Sequence, residues 1–365
     1  MQNVHGVLMW DGRRDGVLLD PQRSFRVAGD EVAVPLRLIR SQGLVAGATV
    51  TGSAQPGRGG GVLVDVATIC GLPPETFRAR RLFADLTPVD PNRRFDLSAS
   101  GHLSMRIMDL MAPIGRGARG LIVAPPKAGK TTFLLHVAEG VRASEPDARI
   151  VVLLIDERPE EVTHFRRAVD AEVLASSSDL PTAEHVALAE VMLAHIQVEL
   201  ECGRHVVVLV DSLTRLVRAF NLRGTGRSQS LSGGLEAGAL EIPRRFFGLA
   251  RNIEGGGSVT MLATVLVGTG SRMDQVIFEE FKSTGNSEVV LDRTLAEAGV
   301  FPAIDLMASG TRREELLYPP DDVRRLARLR QALGRRPPRA ALTALLTLMN
   351  RFSGNAELLA AISPD

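Results

Sequence analysis

One short segment constrains the fold of this chain of 365 residues more than any other. Residues 124–131 read Ala-Pro-Pro-Lys-Ala-Gly-Lys-Thr. The apolar run 121–123 precedes them, and apolar side chains recur at helical spacing over residues 132–138. A strand, a glycine-containing turn and a helix in this order direct backbone N–H groups and the N-terminus of the helix toward one point, which favours phosphate binding. The segment therefore predicts an α/β domain with a site at the end of a buried strand.

The turn fits the phosphate-loop pattern G-x-x-x-x-G-K-[ST] except at its first position, where Ala124 replaces glycine. In this pattern the backbone at Ala128 and Gly129 faces the phosphates, Lys130 reaches the β- and γ-phosphates, and the Thr131 hydroxyl binds Mg²⁺. ATP and Mg²⁺ are therefore the expected cofactors. The alternative is an ordinary tight turn before a helix, and the flanking strand and helix argue against it.

Lysine usage gives the same segment further weight. Of the 43 basic residues only Lys127, Lys130 and Lys282 are lysines, and the rest are arginines. Two of the three lie in the phosphate loop. A chain that uses arginine almost everywhere else has kept lysine where a compact ammonium group suits the ligand.

Acidic residues follow two other apolar runs. Residues 150–155 lead into Asp156, Glu157 and Arg158, and residues 206–210 lead into Asp211. We expect Asp211 to help hold Mg²⁺ and Glu157 to polarise the attacking water. A helix cap is the alternative role for Asp211, and Arg158 either contacts phosphate or pairs with a nearby glutamate.

Composition limits the other classes of function. The net charge of +1 gives no global basic field, so any nucleic acid must be held by local patches or in a channel. Cys70 and Cys202 match no zinc or disulfide spacing, which favours a reducing compartment. No apolar run approaches the ~20 residues of a membrane span, and the N-terminus has no signal-peptide pattern. We expect a cytoplasmic protein without a membrane partner.

The chain divides into three parts. Short strands at 4–10, 16–19, 31–34, 48–51 and 62–67 predict a small barrel over residues 1–75, OB-like or SH3-like. Residues 76–100 read as a linker. In residues 101–365 apolar strands, including 259–267, alternate with helices such as 182–200, which predicts a mostly parallel sheet flanked by helices. An arginine-rich amphipathic helix at 321–333 is expected on a solvated or subunit-facing surface.

Several motifs together resemble the transcription termination factor Rho family over about residues 80–320. They include the loop, 115–123 before it, and the stretches 153–163, 211–216, 270–274, 278–282, 300–305 and 309–312. The resemblance implies a RecA-like P-loop ATPase domain with an N-terminal OB-like barrel. It further implies a homohexameric ring that hydrolyses ATP, translocates on single-stranded RNA and dislodges RNA polymerase.

The resemblance also assigns residues. Glu157 is similar to the catalytic base, and Arg312 to an arginine finger supplied by the next subunit. Around the nucleotide, the implied contacts are Gly115, Arg116, Gly117, Ala118, Arg119, Gly120, Lys127, Thr132, Arg158 and Phe301, which is similar to an aromatic that stacks on adenine. For RNA, Arg272 is similar to a pore-loop residue, residues 222–234 with Arg227 and Gln229 match a second pore loop, and Phe25 is a substitute stacking aromatic.

Four positions depart from the family pattern. Asp15 and Val17 replace two base-stacking aromatics of the barrel, Gln229 replaces a lysine, and Gly299 replaces a basic residue. An ATP-binding ring subunit that loads RNA poorly and regulates another ring is therefore an alternative to the motor. A rotary or strand-exchange ATPase would share the fold but not the surroundings of Arg272 and Phe301.

Overall fold

The computed structural model describes residues 1–57, 59–224 and 232–364. The strands are β1 (Gln2–Met9), β2 (Gly16–Leu19), β3 (Val32–Val34), β4 (Thr49–Gln55), β5 (Val62–Ile69), β6 (Pro88–Val89), β7 (Arg119–Ala124), β8 (Arg149–Glu157), β9 (Glu172–Ser177), β10 (His205–Asp211), β11 (Arg251–Ile253), β12 (Ser258–Leu266), β13 (Ser287–Leu291) and β14 (Ile304–Thr311). The helices are α1 (Leu36–Gln42), α2 (Pro74–Arg78), α3 (Leu103–Met111), α4 (Lys130–Ser144), α5 (Pro159–Ala168), α6 (Thr182–Glu201), α7 (Leu213–Arg223), α8 (Glu241–Gly248), α9 (Arg272–Lys282), α10 (Arg293–Glu297), α11 (Pro320–Gly334), α12 (Pro338–Met349) and α13 (Asn355–Ala360).

The N-terminal strands form a closed barrel in the order β1-β2-β3-β5-β4, with β4 pairing back to β1. This confirms the predicted five-stranded barrel. The sequence did not predict helix α1, which begins after β3. The Asp15 carboxylate accepts a hydrogen bond of 2.7 Å from the backbone N–H of Leu36 in the first turn of α1, so Asp15 has a structural role in the barrel.

The second domain is built on a sheet in the order β14-β13-β7-β12-β10-β8-β9. From β13 to β9 all neighbours are parallel, and β14 is antiparallel to β13. The mostly parallel sheet is confirmed, and the predicted strands at 150–155, 206–210 and 259–267 are β8, β10 and β12. Strand β9 was not predicted, because its sequence Glu-Val-Leu-Ala-Ser-Ser is short and only partly apolar.

Both faces of the sheet are covered, which explains the continuous apolar runs. Along β8, the side chains of Ile150, Val152 and Leu154 pack with helices α3, α4 and α11 to α13 on one face. Val151, Leu153 and Ile155 alternate with them and pack with α6 to α9 on the other. A strand buried on both faces needs apolar residues at every position.

Helix α11 corresponds to the predicted amphipathic helix at 321–333. It buries Leu326, Leu329 and Leu333 in the core. The apolar face of the helix is therefore covered, and only its other face can be the solvated or subunit-facing surface that was expected. Two of its arginines pair within the helix, Arg324 with Asp321 and Arg325 with Asp322, whereas Arg330 donates to the backbone oxygen of Leu110. Within the described ranges, no helix is both long and apolar enough to cross a bilayer.

The barrel is fastened to the ATPase domain through buried contacts. Phe25 is 5% exposed and meets the ring of His195 on α6 edge-on, with ring centroids 6.1 Å apart. Its neighbour Ser24 accepts a hydrogen bond of 2.9 Å from the backbone N–H of Ala175 on β9. In the segment expected to be a linker, Arg80 forms a 2.9 Å ion pair with Glu201 at the end of α6.

The expectation that Phe25 stacks on RNA bases is wrong for this conformation. A stacking aromatic must present the face of its ring to solvent, and the Phe25 ring is enclosed between the two domains. The family resemblance suggested an RNA role because Phe25 follows the stretch that matches the RNA-loading strand, where it could replace a stacking aromatic. Its burial depends on α6, which is far away in the chain.

The junction gives a stability prediction. Replacing Phe25 by alanine should remove about 3–5 kcal/mol from the free energy of unfolding, the usual cost for a buried phenylalanine. Val27→Ala is the matched control, because Val27 is 64% exposed in the same segment and should change stability by less than ~0.5 kcal/mol. Urea unfolding of both variants checks this, and equal stability would contradict the burial of Phe25.

Candidate nucleotide-binding and catalytic site

The phosphate loop lies between β7 and α4. Ala124 is the last residue of β7, fully buried and paired with Leu266 of β12. It lies in ordinary extended strand, which explains why this position does not need glycine. Gly129, with φ of 89°, precedes the first residue of α4 and no side chain caps that helix. The free N–H groups of its first turn are therefore open to an anion.

Lys130 lies between two buried carboxylates. Its ammonium group donates hydrogen bonds of 2.9 Å to Glu157 Oε1 and 2.6 Å to Asp211 Oδ1. Glu157 ends β8 and Asp211 ends β10, next to it in the sheet. The structure thus brings together the three residues that the sequence predicted from separate motifs, because parallel strands place their carboxyl ends at one edge.

The charges in this group shift each other's protonation. Burial raises the pKa of Glu157, and the nearby Asp211 raises it further, against the opposing effect of Lys130. Burial alone would lower the pKa of Lys130, but Asp211 and Glu157 outweigh it, so the pKa is raised and the ammonium stays charged. A buried glutamate with a raised pKa beside a fixed cation is suited to accept a proton during catalysis.

The site has oxygen atoms that suit Mg²⁺. Asp211 Oδ1 accepts from Lys130 and, at 2.7 Å, from the Thr264 hydroxyl, while its other oxygen is buried without a hydrogen-bond partner among the described residues. The Thr131 hydroxyl donates 3.2 Å to Glu161 at the start of α5. Mg²⁺ is commonly held by one or two protein oxygens together with nucleotide phosphates, so the residues present fit this ion.

Arg215 is a functional candidate that sequence reasoning left unassigned. It lies in the first turn of α7, where its guanidinium donates to the backbone oxygen of Asp156 and lies 3.4 Å from Glu157 Oε1. It therefore restrains the end of β8 and the position of the Glu157 carboxylate. The signal was available, since Arg215 follows the strand-ending Asp211 by four positions.

A cavity of about 460 Å³ adjoins the loop. Gly129, Thr132 and Phe301 line it, and the Phe301 ring is 56% exposed. Phe301 therefore lies with an exposed ring beside the phosphate loop, and its stacking on adenine stays a prediction.

The same cavity is also lined by two histidines that the sequence analysis did not predict as site residues. His102 and His136 stack there with centroids 3.9 Å apart, His102 pairs with Glu139 at 2.5 Å, and His136 bonds to the Ser104 hydroxyl at 2.7 Å. Burial lowers the pKa of His136, and the neighbouring His102 lowers it further.

The expected nucleotide contacts at 115–120 are wrong for the nucleotide bound by the same chain. Gly115, Arg116, Gly117 and Ala118 precede β7, and Arg119 and Gly120 are its first two residues, whereas the phosphate loop follows its end. Arg116 forms a 2.7 Å ion pair with Glu145, just past the last residue of α4, and this helix of 15 residues begins at the phosphate loop. At ~1.5 Å per residue the helix separates its ends by about 22 Å.

These residues have structural roles instead. Gly117, with φ of 88°, donates its N–H to Thr260, and a Cβ there would lie 2.2 Å from the backbone nitrogen of Asn252. The sequence motif is therefore a packing requirement that allows β7 to start against β11 and β12.

Arg312 is exposed just after the last residue of β14. Its neighbour Thr311 pairs with Ser287, which pairs in turn with Gly120 at the beginning of β7. Because strands rise ~3.3 Å per residue, this level of the sheet is about 13 Å from Ala124. Arg312 is thus at the end of the sheet away from its own phosphate loop.

Lys127 and Arg158 are exposed beside the site, and their contacts with nucleotide stay predictions.

Arg272 is exposed at the first position of α9, on the loop that follows β12. Asp274 anchors this loop, because it accepts from Arg218 of α7 at 2.9 Å and from Thr269 at 2.6 Å. The described end of the predicted second pore loop lies against it, since a Cβ on Gly233 would approach the nitrogen of Met273 to 2.7 Å. Arg227 and Gln229 lie outside the described residues.

Comparisons with known proteins give the family. Residues 104–311 match the ATP synthase alpha/beta family, nucleotide-binding domain. The chain is 43% identical over 361 residues to transcription termination factor Rho of Akkermansia muciniphila, with 98% of this chain and 76% of the relative covered. The chain belongs to the transcription termination factor Rho family.

Other matches agree with this family. The Rho of Pseudomonas aeruginosa is 45% identical over 349 residues, covering 94% of this chain and 83% of the relative. The Rho of Streptomyces lividans is 45% identical over 357 residues, but the chain spans only 50% of its length. A solved ATPase from a bacterial type III secretion system is similar in fold, with a TM-score of 0.59 and 24% identity over 68% of this chain and 70% of that one.

The raised pKa of Glu157 predicts a pH-dependent stability effect. An acid whose pKa is higher in the folded state destabilises the fold when ionised, so its cost is present above the raised pKa and disappears as the pH falls toward its unfolded value of about 4.3. Glu157→Gln should therefore be more stable than the wild type at pH 8 in nucleotide-free buffer, and this advantage should vanish near pH 4. Urea titrations at several pH values check it.

Glu160→Gln is the control for that measurement, because Glu160 is an exposed carboxylate at the start of α5. As a surface substitution it should change the free energy of unfolding by less than ~0.5 kcal/mol. A Glu157→Gln variant that is less stable than the wild type at pH 8 would contradict the raised pKa of Glu157 in the folded protein.

Proposed function

We propose that this chain is an ATP-driven RNA translocase of the Rho type, which hydrolyses ATP to move on nascent single-stranded RNA and so terminates transcription. The observation that supports this most strongly concerns Lys130, the first residue of α4. Its ammonium group is hydrogen-bonded to Glu157 and Asp211, at the end of the helix whose N–H groups are free. The similarity to transcription termination factor Rho supports RNA as the polymer on which the chain moves.

The chemistry follows from the residues at the loop. In the nucleotide-bound state Lys130 exchanges its carboxylate partners for the β- and γ-phosphates, while the N–H groups of the first turn of α4 bind the same oxygens. Glu157 is then released to orient the attacking water and take its proton, and Arg215 keeps its carboxylate in place. Thr131 and Asp211 would hold Mg²⁺, which neutralises charge on the phosphates. Phe301 would stack on the base.

A ring is part of this proposal. Transfer of the γ-phosphoryl group needs a cation on its oxygens as charge develops, and a neighbouring subunit often supplies it. Arg312 is exposed and distant from its own phosphate loop, so it suits the site of the next subunit. We propose a homohexamer, in keeping with the family resemblance.

RNA would enter through the centre of the ring. Arg272, on its anchored loop, is placed to contact RNA phosphates, a kind of contact that carries little sequence preference. The barrel is expected to contribute less, because Asp15 caps α1 and Phe25 is buried. RNA polymerase, whose transcript the ring would pull, is the second proposed partner.

The shared site between subunits can be tested by mixing two inactive variants. Arg312→Ala and Lys130→Ala should each lose most ATPase activity, by at least the ~10³-fold that an arginine finger supplies in the first case. When the two are mixed, some interfaces combine an intact Arg312 with an intact Lys130, and part of the activity should return. The measurement is phosphate release at constant total protein.

Arg313→Ala is the matched control, because Arg313 is also exposed but pairs with Asp90 and Glu315 of its own chain. It should stay active. Full activity of the Arg312→Ala variant alone, or a mixture no more active than its components, would contradict the proposed ring site.

A further inference from the structure

The two cysteines of the chain meet at the junction between its domains. Cys70 directly follows β5 of the barrel, and Cys202 directly follows α6 of the ATPase domain. They are the only cysteines in the sequence. Spacing alone suggested no pairing, because they are far apart in the chain, yet the fold places the ends of these two elements side by side.

Three contacts define this meeting point. Cys202 packs against the apolar core of the barrel, which includes Cys70 and Val198 of α6. Arg204, two positions after Cys202, donates a hydrogen bond of 2.9 Å to the backbone oxygen of Cys70. The Cys70 N–H is itself bonded to the Thr49 oxygen at 2.7 Å. Both backbones are therefore fixed close together.

The two thiols differ in access and in acidity. Cys70 is 5% exposed, whereas Cys202 is only partly buried. The interaction with the Cys70 thiol lowers the pKa of Cys202, and the interaction with Cys202 together with burial raises the pKa of Cys70. Since the thiolate is the reactive form and must be reached by the oxidant, Cys202 is the thiol that reacts first.

We propose that Cys202 and Cys70 form a reversible disulfide when the protein meets a peroxide, which ties the barrel covalently to the ATPase domain. In the first step the Cys202 thiolate attacks one peroxide oxygen, the O–O bond breaks, and Cys202 becomes a sulfenic acid as hydroxide leaves. In the second step the Cys70 sulfur attacks the Cys202 sulfur, the S–O bond breaks, and the hydroxyl leaves as water with the Cys70 proton. Two thiols and one hydrogen peroxide thus give one disulfide and two waters.

The consequence is a locked junction. A disulfide between residues far apart in sequence removes much of the freedom of the unfolded chain. It also prevents the barrel from separating from α6 while leaving the phosphate loop untouched. The bond would be reversed by a thiol reductant through exchange.

The test uses the full chain exposed to hydrogen peroxide and then alkylated under denaturing conditions without reductant. We expect a peptide containing Cys70 linked to Cys202 and the loss of both alkylatable thiols. Both thiols should return after dithiothreitol, and the midpoint temperature of unfolding should be higher for the oxidised form. Linkage should not depend on protein concentration, since both cysteines belong to one chain.

Two variants separate the steps. Cys70→Ser should leave a sulfenic acid on Cys202 that a dimedone probe traps, whereas Cys202→Ser should leave Cys70 alkylatable after the same exposure. Two free thiols in the oxidised wild type, a Cys202 sulfinic acid without linkage, or disulfides only between chains would overturn the proposal.

Discussion

The active site depends on one cation at the edge of the sheet. Lys130 compensates two carboxylates that the parallel strands β8 and β10 bring together at their carboxyl ends. Without the ammonium group, Glu157 and Asp211 would be two buried like charges with no compensating cation. Removing Lys130 is therefore expected to cost about 3–5 kcal/mol, as is common when a buried charge loses its partner. In the proposed mechanism, bound phosphate would offer Lys130 a competing partner, so nucleotide binding and the release of Glu157 would be one event.

The barrel is held against the ATPase domain by buried contacts. The residues that the family resemblance links with RNA loading are used here for structure, since Asp15 caps α1 and Phe25 fills the junction with α6. Base stacking is worth ~1–3 kcal/mol per base, so under the proposed function RNA binding would depend mainly on the loop that carries Arg272. That loop is held by Asp274 and Arg218, which connect it to α7, the helix that follows Asp211. In the proposed mechanism this connection would transmit a change at the phosphates to the loop expected to contact RNA.

Much of this could be predicted from the sequence, and the failures have physical causes. The phosphate loop and the strand-ending Glu157 and Asp211 were found because continuous apolar strands and loop motifs are local signals. The structural roles of 115–120 were missed, because a motif does not tell which end of a strand faces the ligand. The burial of Phe25 and the stacking of His102 on His136 depend on contacts between distant segments, which local patterns do not encode.

The coupling of hydrolysis to RNA can be measured directly as the ATPase rate with and without a short single-stranded RNA, for the wild type and for Arg272→Ala. RNA should raise the wild-type rate several-fold, and Arg272→Ala should keep the basal rate but lose most of the stimulation. Because the contacts are to phosphates, stimulation should also weaken steeply as salt is raised. A wild-type rate that RNA leaves unchanged at low salt would contradict the coupling of hydrolysis to RNA, and would favour an ATP-binding ring subunit that does not translocate.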